Sequence, residues 1–194
     1  MIRFVRLFGV LACAISFTAF GMAQEKSVPV PANAPAAPKL EFPIIPKHGG
    51  ALPRPKAVEQ PRAGTKVVFD ATAEAKPAEV NKALDRVARL LNLYGVAGLK
   101  AQDVKITIVL HGEATKSVLD DAAYKERFQV AHNPNLPLIR ELQKAGVEVL
   151  VCGQALNYKG FPDSVVSDGI PLAAAALTVV VNKQTDGYSY IPVP

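Results

Sequence analysis

The residues of this chain best suited to chemistry are a cysteine and a histidine that end two predicted strands. Cys152 closes the apolar segment VEVLVC, and Gly153 and Gln154 follow it at the start of a predicted short helix. The N–H groups at a helix N-terminus favour a thiolate, the form of cysteine that attacks sulfur or carries a persulfide. His111 follows the apolar segment VKITIVL and could donate to that thiolate or relay a proton. This pattern predicts a thiol site.

The candidate ligand-binding positions follow predicted strands or lie in loops: Gly112, Gly153, Gln154, Asp70 and Asn133. A glycine beside Cys152 would let a substrate approach closely. Structural roles are the alternative: a free cysteine is often a small packed side chain, and His111 could be a turn residue bonded to backbone. Asp70 could hydrogen-bond the loop that follows it. Tyr188 and Tyr190 alternate on one face of the last predicted strand, and we interpret them as packing or interface residues.

Several other chemistries lack their sequence motifs. The chain has no Gly-rich nucleotide-binding fingerprint or P-loop, and no Gly-x-Ser-x-Gly element of a hydrolase. It has no Cys-x-x-Cys pair, and its three histidines are scattered. We therefore expect no metal and no cofactor.

The charge distribution argues against nucleic acid as the main partner. The net charge of +5 arises from +2 in residues 1–23 and +3 in residues 24–64, so residues 65–194 are neutral. A surface that binds phosphates needs clustered lysine and arginine, and this part shows no such cluster. The apolar fraction of 49% is enough for a buried core.

The first 23 residues have the pattern of a secretory signal peptide. A basic start is followed by 14 mostly apolar residues, Leu7 to Phe20, and then by the small residues of a cleavage site ending at Ala23. A membrane anchor is the alternative, but the apolar segment is shorter than a spanning helix requires. A lipoprotein site at Cys13 is a weaker one. We expect export to a bacterial periplasm, with Cys152 as the one thiol left after cleavage and no transmembrane span.

Residues 24–64 form a proline-rich arm. Nine of the 16 prolines of the chain lie between Pro29 and Pro61, so this segment is predicted to be extended or irregular. The apolar residues near its middle suggest that about Phe42 to Pro55 lies against the domain. His48 would be a solvated residue of a turn with Gly49 and Gly50.

Strands and helices alternate through residues 65–194. The predicted strands are 66–70, 104–110, 147–152, 169–172 and 188–193. The predicted helices are one from about Pro77 to Tyr94, one from a Thr115 cap to Arg127, one at 136–145 after an Asn135 cap, a short one from 153, and one at 173–184. This alternation predicts a flavodoxin-like three-layer α/β sandwich of about five mostly parallel strands, with helices on both faces. Asp70, His111 and Cys152 would then share the rim where sites form in such sheets.

Residues 65–194 resemble the DsrE/DsrF-like family of small sulfur-relay proteins, especially its exported branch. The resemblance lies in KVVFDAT (66–72), IVLHGEAT (108–115), NPNLPLIRELQKAGVEVLVCGQAL (133–156) and QTDGYSYI (184–191), with the HGG turn at 48–50. It implies an α/β sandwich that assembles into homotrimers or hexamers. It also implies that Cys152 matches the position at which some cytoplasmic relatives accept sulfur as a persulfide and pass it on.

Two functions follow from these patterns. The first is a sulfur carrier or transferase that uses Cys152 as the persulfide acceptor, His111 as its partner, and another protein or a small sulfane as donor. The second is a non-catalytic oligomer of the same fold that binds a small ligand or a partner protein. A thiol–disulfide enzyme is disfavoured, because the mature chain has no resolving cysteine.

Overall fold

The computed structural model describes residues 39–194, and a five-stranded sheet lies at their centre. The predicted leader and the first part of the arm fall outside the described residues. The strands are β1 (Thr65–Ala71), β2 (Val104–Leu110), β3 (Glu148–Cys152), β4 (Leu172–Ala173) and β5 (Ser189–Val193). Their order is β4-β3-β2-β1-β5, and every neighbouring pair is parallel. The predicted flavodoxin-like α/β fold is therefore confirmed.

Helices connect the strands, as parallel pairing requires. They are α1 (Lys82–Val96), α2 (Asp121–Phe128), α3 (Leu136–Lys144), α4 (Gly153–Tyr158) and α5 (Ala176–Thr185). Short 3₁₀ helices lie at Ala101–Asp103, Gly112–Val118 and Asp163–Val165. Within residues 39–194, no helix combines the length and apolar character that a membrane crossing requires.

The first face of the sheet is covered by α1 to α4. In α1 the apolar side chains of Leu84, Val87 and Leu91 recur every three or four residues, and all three are buried. Alternate residues of β2, among them Ile108 and Leu110, meet them from the sheet and belong to the same core. This core also takes in buried side chains of α2, α3 and α4, so it holds most of the apolar burial of the domain.

Among residues 39–194, α5 is the helix that covers the second face. This helix follows β4 at one edge of the sheet and leads to β5 at the other edge, so it crosses the face that the other helices leave open. The buried cluster beneath it has five members: Val68, Val109, Cys152, Ala176 and Val179. The outer side of α5 exposes Leu177 and Val181, so the second face has a small core and an apolar exterior.

The arm packs on the outer side of α1. Ile45 is 1% exposed and joins the first-face core, and a backbone bridge pairs Glu41 with Ala51. The buried side chain of Asn92 connects the arm to α1, because its Oδ1 accepts N–H groups of Ile44 and Ile45 at 2.9 Å each. Its Nδ2 donates to three arm carbonyls. This part of the arm is therefore an added layer over the first face.

Close contact between the arm and α1 depends on Gly49. Its φ is +61°, and a Cβ at this position would lie 2.1 Å from the backbone nitrogen of Arg89. The Gly49 N–H donates to Asp85 Oδ1 at 2.8 Å, which anchors the turn that the sequence predicts here. His48 is half-buried beside it, with Nδ1 3.9 Å from the same carboxylate oxygen, so it is less solvated than expected.

Two predicted side-chain caps are wrong, because each side chain bonds a group other than the N–H groups at the helix start. Thr115 starts no helix that runs to Arg127, because its hydroxyl donates to the carbonyl of Gly112 within a 3₁₀ helix, and Asp120 caps α2 instead. Asn135 precedes α3 but makes no capping bond. Its Oδ1 accepts the N–H of the distant Asn81 at 2.7 Å.

Two helices also begin later than predicted. The first begins at Lys82 and not near Pro77, because the side chain of Asn81 accepts the N–H of Ala83 and caps it there. The last begins at Ala176 and not at 173. The residues before it, Leu172–Ala173, extend to pair with β3.

Candidate functional site

The sheet register brings the candidate residues of three strands to one rim and one face. Asp70 pairs with Val109, which pairs with Leu150, so these three side chains point to the same side. His111 and Cys152 lie two residues further along β2 and β3 and therefore share that side. The predicted group of Asp70, His111 and Cys152 thus lies at the carboxyl rim of the second face.

Cys152 is both the last residue of β3 and the N-cap of α4. Its Sγ accepts the N–H of Ala155 at 3.4 Å, so an unpaired donor of the helix start is directed at the sulfur. The residue is 5% exposed and lies in the small cluster with Val109 and Ala176. The sulfur therefore has a polar neighbour but is covered in the described chain.

The cover over Cys152 consists of small residues. Ala173 of β4 pairs with Cys152 in the sheet, and its carbonyl oxygen lies 3.2 Å from where a Cβ on Gly153 would be. Gly153 therefore allows this strand to approach. Gln154 Nε2 donates to the carbonyl of Ala174 at 3.4 Å, so the predicted ligand positions 153 and 154 contact the edge strand and the segment after it.

His111 belongs to a hydrogen-bonded group of three side chains. Its Nε2 lies 2.6 Å from Asp70 Oδ1, and the hydroxyl of Tyr190 donates to Asp70 Oδ2 at 2.8 Å. The hydrogen bond to Asp70 raises the pKa of Tyr190, because the carboxylate disfavours a phenolate beside it. The His111 and Asp70 side chains are mostly buried, whereas Tyr190 is 41% exposed. The group therefore borders the exposed side of the second face.

Tyr190 is the member of this group that sequence reasoning missed. The alternation of Tyr188 and Tyr190 places both rings on one side of β5 but does not say which strand lies beside them. The structure pairs β5 with β1 and sets Tyr190 opposite Val68, two residues before Asp70. The two tyrosines differ, since the ring of Tyr188 lies under Lys66 and Lys183.

The remaining predicted positions make contacts within the fold. Asn133 is 1% exposed, and its Nδ2 donates to the carbonyls of Ser117 and Leu119 at 3.1 and 2.7 Å. Its amide thereby joins two backbone segments, so we do not include it in the proposed site. Gly112 has a φ of +54° and turns the chain from His111 into the 3₁₀ helix.

Charged residues flank the rim on the loops that follow β1 and β2. Glu113 pairs with Lys159 after α4, and the hydrogen bond from that lysine lowers the pKa of the Glu113 carboxyl. Lys116 is buried, with its Nζ 3.4 Å from Glu74 and 5.6 Å from the centre of the Phe128 ring. Among residues 39–194, no three histidine, cysteine or acidic side chains are grouped to hold a metal ion.

Fold and site together define a small flavodoxin-like α/β protein with a thiol and a His–Asp pair at the carboxyl rim. The model of the DsrE/DsrF-like family matches residues 66–193. The chain belongs to this family. No curated protein matches it.

Two solved structures are similar to this chain at low sequence identity. The protein MTH1491 from Methanobacterium thermoautotrophicum is similar with a TM-score of 0.50 and 20% identity, over 66% of this chain and 98% of its own. The ychN protein from E. coli has a TM-score of 0.43 and 14% identity, over 66% of this chain and 97% of its own. The first likeness supports the architecture and leaves function to be argued from the site.

Proposed function

We propose that this protein is an exported sulfur carrier or sulfurtransferase in which Cys152 accepts sulfur as a persulfide. The Cys152 thiolate attacks the outer sulfur of a donor persulfide, a new S–S bond forms at Sγ, and the donor's S–S bond breaks. The donor leaves as a thiolate, and the sulfur keeps its oxidation state, so no oxidant is consumed. The reverse attack by an acceptor thiolate releases the sulfur.

The observation that carries this proposal is the position of the Cys152 sulfur. It accepts a backbone N–H at the start of α4 and lies on the same face and rim as His111. The Ala155 N–H is therefore directed at the sulfur that would carry the persulfide. Membership of the DsrE/DsrF-like family supports the same chemistry.

We propose that access to the sulfur comes through the edge of the sheet. The strand beside β3 is β4, which has two residues, and the segment after it continues with alanines to α5. A segment with so few paired residues and such small side chains opens at low cost. We propose that a donor, either a persulfide-bearing protein or a small sulfane, reaches Cys152 when this segment moves.

Export is the second part of the proposal, and the apolar leader supports it. Signal peptides are removed on export, so the mature protein would begin at Gln24 and reside in the periplasm. N-terminal sequencing of protein recovered from the periplasmic fraction should read from Gln24. An intact Met1 on protein retained in the cytoplasm would contradict export.

Mass spectrometry tests the sulfur-carrier proposal directly. After treatment with polysulfide, the mature protein should gain about +32 Da, one sulfur atom, and lose it on reduction. Cys152→Ser is the matched control, because it removes the thiol and keeps the residue size, and it should gain nothing. Absence of the adduct from a native protein whose thiol also resists alkylation would overturn the proposal.

A non-catalytic oligomer is the second candidate, and the apolar exterior of the second face favours it. Leu177 and Val181 of α5 are exposed there, and exposed apolar surface commonly marks a contact site. We propose that copies of the chain associate through this face as trimers or hexamers. In the non-catalytic version, Cys152→Ala leaves the oligomer and any cellular phenotype intact, whereas the sulfur-carrier version predicts that the phenotype is lost.

A further inference from the structure

The geometry points to a further role at the rim: we infer that Asp70 and Tyr190 are positioning residues that hold the neutral His111 ring with its proton on Nε2. Nδ1 is then the proton acceptor of the site. The inference rests on the proposed function, because only sulfur acceptance at Cys152 gives this proton acceptor a task. It extends that function by assigning positioning roles to Asp70 and Tyr190 beside His111, the proposed proton acceptor.

The assignment of the proton follows from the hydrogen bonds. An ionised carboxylate accepts hydrogen bonds and cannot donate them, so the 2.6 Å contact with Asp70 Oδ1 requires a hydrogen on His111 Nε2. A neutral imidazole carries one N–H, which leaves a lone pair on Nδ1. The Asp70 contact therefore selects one of two tautomers that would otherwise interconvert.

Tyr190 fixes the other side of the same carboxylate. Its hydroxyl donates to Asp70 Oδ2 at 2.8 Å, so both oxygens of Asp70 have defined partners and the carboxylate cannot rotate without losing one. Because this carboxylate raises the pKa of Tyr190, the phenol remains a donor at a pH where histidine is neutral. Strand pairing supports the arrangement, since β5, β1 and β2 are consecutive in the sheet.

We assign the proton step of sulfur acceptance to the unprotonated Nδ1, because His111 and Cys152 share one face and rim. A proton leaves the Cys152 thiol for Nδ1, the thiolate attacks the donor's outer sulfur, and the donor thiolate takes the proton from the imidazolium as it leaves. The proton count is unchanged, and Asp70 stabilises the transient imidazolium through Nε2–H. Proton transfer by a positioned side chain typically contributes at least about 100-fold to a rate.

Nitrogen NMR of ¹⁵N-histidine-labelled protein tests the tautomer without using sulfur chemistry. At an alkaline pH where the rings are neutral, His111, assigned by comparison with His111→Gln, should show a protonated Nε2 and an unprotonated Nδ1. Asp70→Asn should shift this ring towards a mixture of tautomers, and Tyr190→Phe should shift it less. Tyr188→Phe is the matched control, since Tyr188 lies just before β5 with its ring on the same face, and it should leave His111 unchanged. A wild-type ring with the proton on Nδ1 would overturn the inference.

The rate of persulfide formation at Cys152 is the second measurement on the same variants. Asp70→Asn should slow it by about 10- to 100-fold and Tyr190→Phe by a few-fold, while Tyr188→Phe keeps the wild-type rate. A changed tautomer with an unchanged rate would overturn the positioning role and leave the sulfur-carrier proposal standing. A fixed tautomer in a wild-type protein that accepts no sulfur would overturn the sulfur-carrier proposal and, with it, the role assigned to Nδ1.

Discussion

The two faces of the sheet differ in how they are covered. Four helices and the docked arm cover the first face, and its core draws on every strand except β4. In the described part of the chain, one helix covers the second face, over a cluster of five small or medium side chains. Asp70, His111 and Cys152 all lie on the second face, so the proposed site lies where burial is least.

This difference predicts that the second face opens more easily than the first. Regions with few buried apolar contacts open locally at a lower free energy than the core does. A thiol on the second face can therefore become accessible while the first face stays folded. The exposed apolar side chains of α5 also leave this face free to make contacts that the first face cannot.

The largest expected effect is the difference in stability between two leucine-to-alanine variants, one in the first-face core and one on the outer side of α5. Leu142 is fully buried in α3, so Leu142→Ala should lower the free energy of unfolding by about 2–5 kcal/mol. Leu177 of α5 is 73% exposed, so Leu177→Ala should stay within about 0.5 kcal/mol for the protomer. Denaturant titrations at several protein concentrations separate unfolding from dissociation. Equal losses at the two positions would contradict the contrast between the faces.

A smaller effect is expected where the arm meets α1. Gly49→Ala should destabilise the docked arm by about 1–3 kcal/mol more than Gly64→Ala, because the added Cβ meets the α1 backbone. Gly64 is the matched control, since its φ is also positive, at +84°, and nothing lies within 4 Å of its Cβ position. Limited trypsin digestion should cut after Lys47 faster in the Gly49 variant.

If both glycine variants resist trypsin equally, the arm does not depend on this contact. Faster cutting with an unchanged core would show that the arm is a separable layer. Denaturant titration measures the free energy of unfolding of the remaining domain. An unchanged value means that the arm is a separable layer, and a lower value means that its loosening also weakens the core.

The smallest effect concerns acid stability at α2. The backbone N–H of Asn133 and the ring of His132 both bond the Asp121 carboxylate, which lowers its pKa in the folded state. Its contribution is therefore complete above the unfolded-state pKa and is lost as the pH falls through the folded-state value. Asp121→Asn should flatten the acid slope of the free energy of unfolding against pH. A slope equal to that of the wild type would contradict this assignment.

Most of the fold can be predicted from local patterns. The apolar segment 104–110 is too regular to be anything other than a central strand, and the structure has β2 at Val104–Leu110. Helix starts are less predictable, because several polar residues near a start could cap it: Asn81 and Asp120 cap α1 and α2, whereas the Asn135 side chain bonds Asn81, 54 residues away.

The site is predictable as far as parallel topology determines it. The carboxyl ends of parallel strands share a rim, so Asp70, His111 and Cys152 could be grouped from the sequence. Tyr190 could not, because no local pattern says that the last strand lies beside the first. Gly153 can be predicted from its place after Cys152, but its contact with Ala173 cannot, because that residue is brought there by the pairing of β4.

The central claim is that the Cys152 thiol becomes reachable by local opening of the second face. The most direct test is the rate of alkylation of this thiol in native protein, measured at increasing, subdenaturing urea concentrations. Local opening predicts a rate that is nearly independent of urea and far above the rate of global unfolding. A rate that rises with urea in parallel with global unfolding would show that the sulfur is exposed only when the first face unfolds too, and would contradict the account.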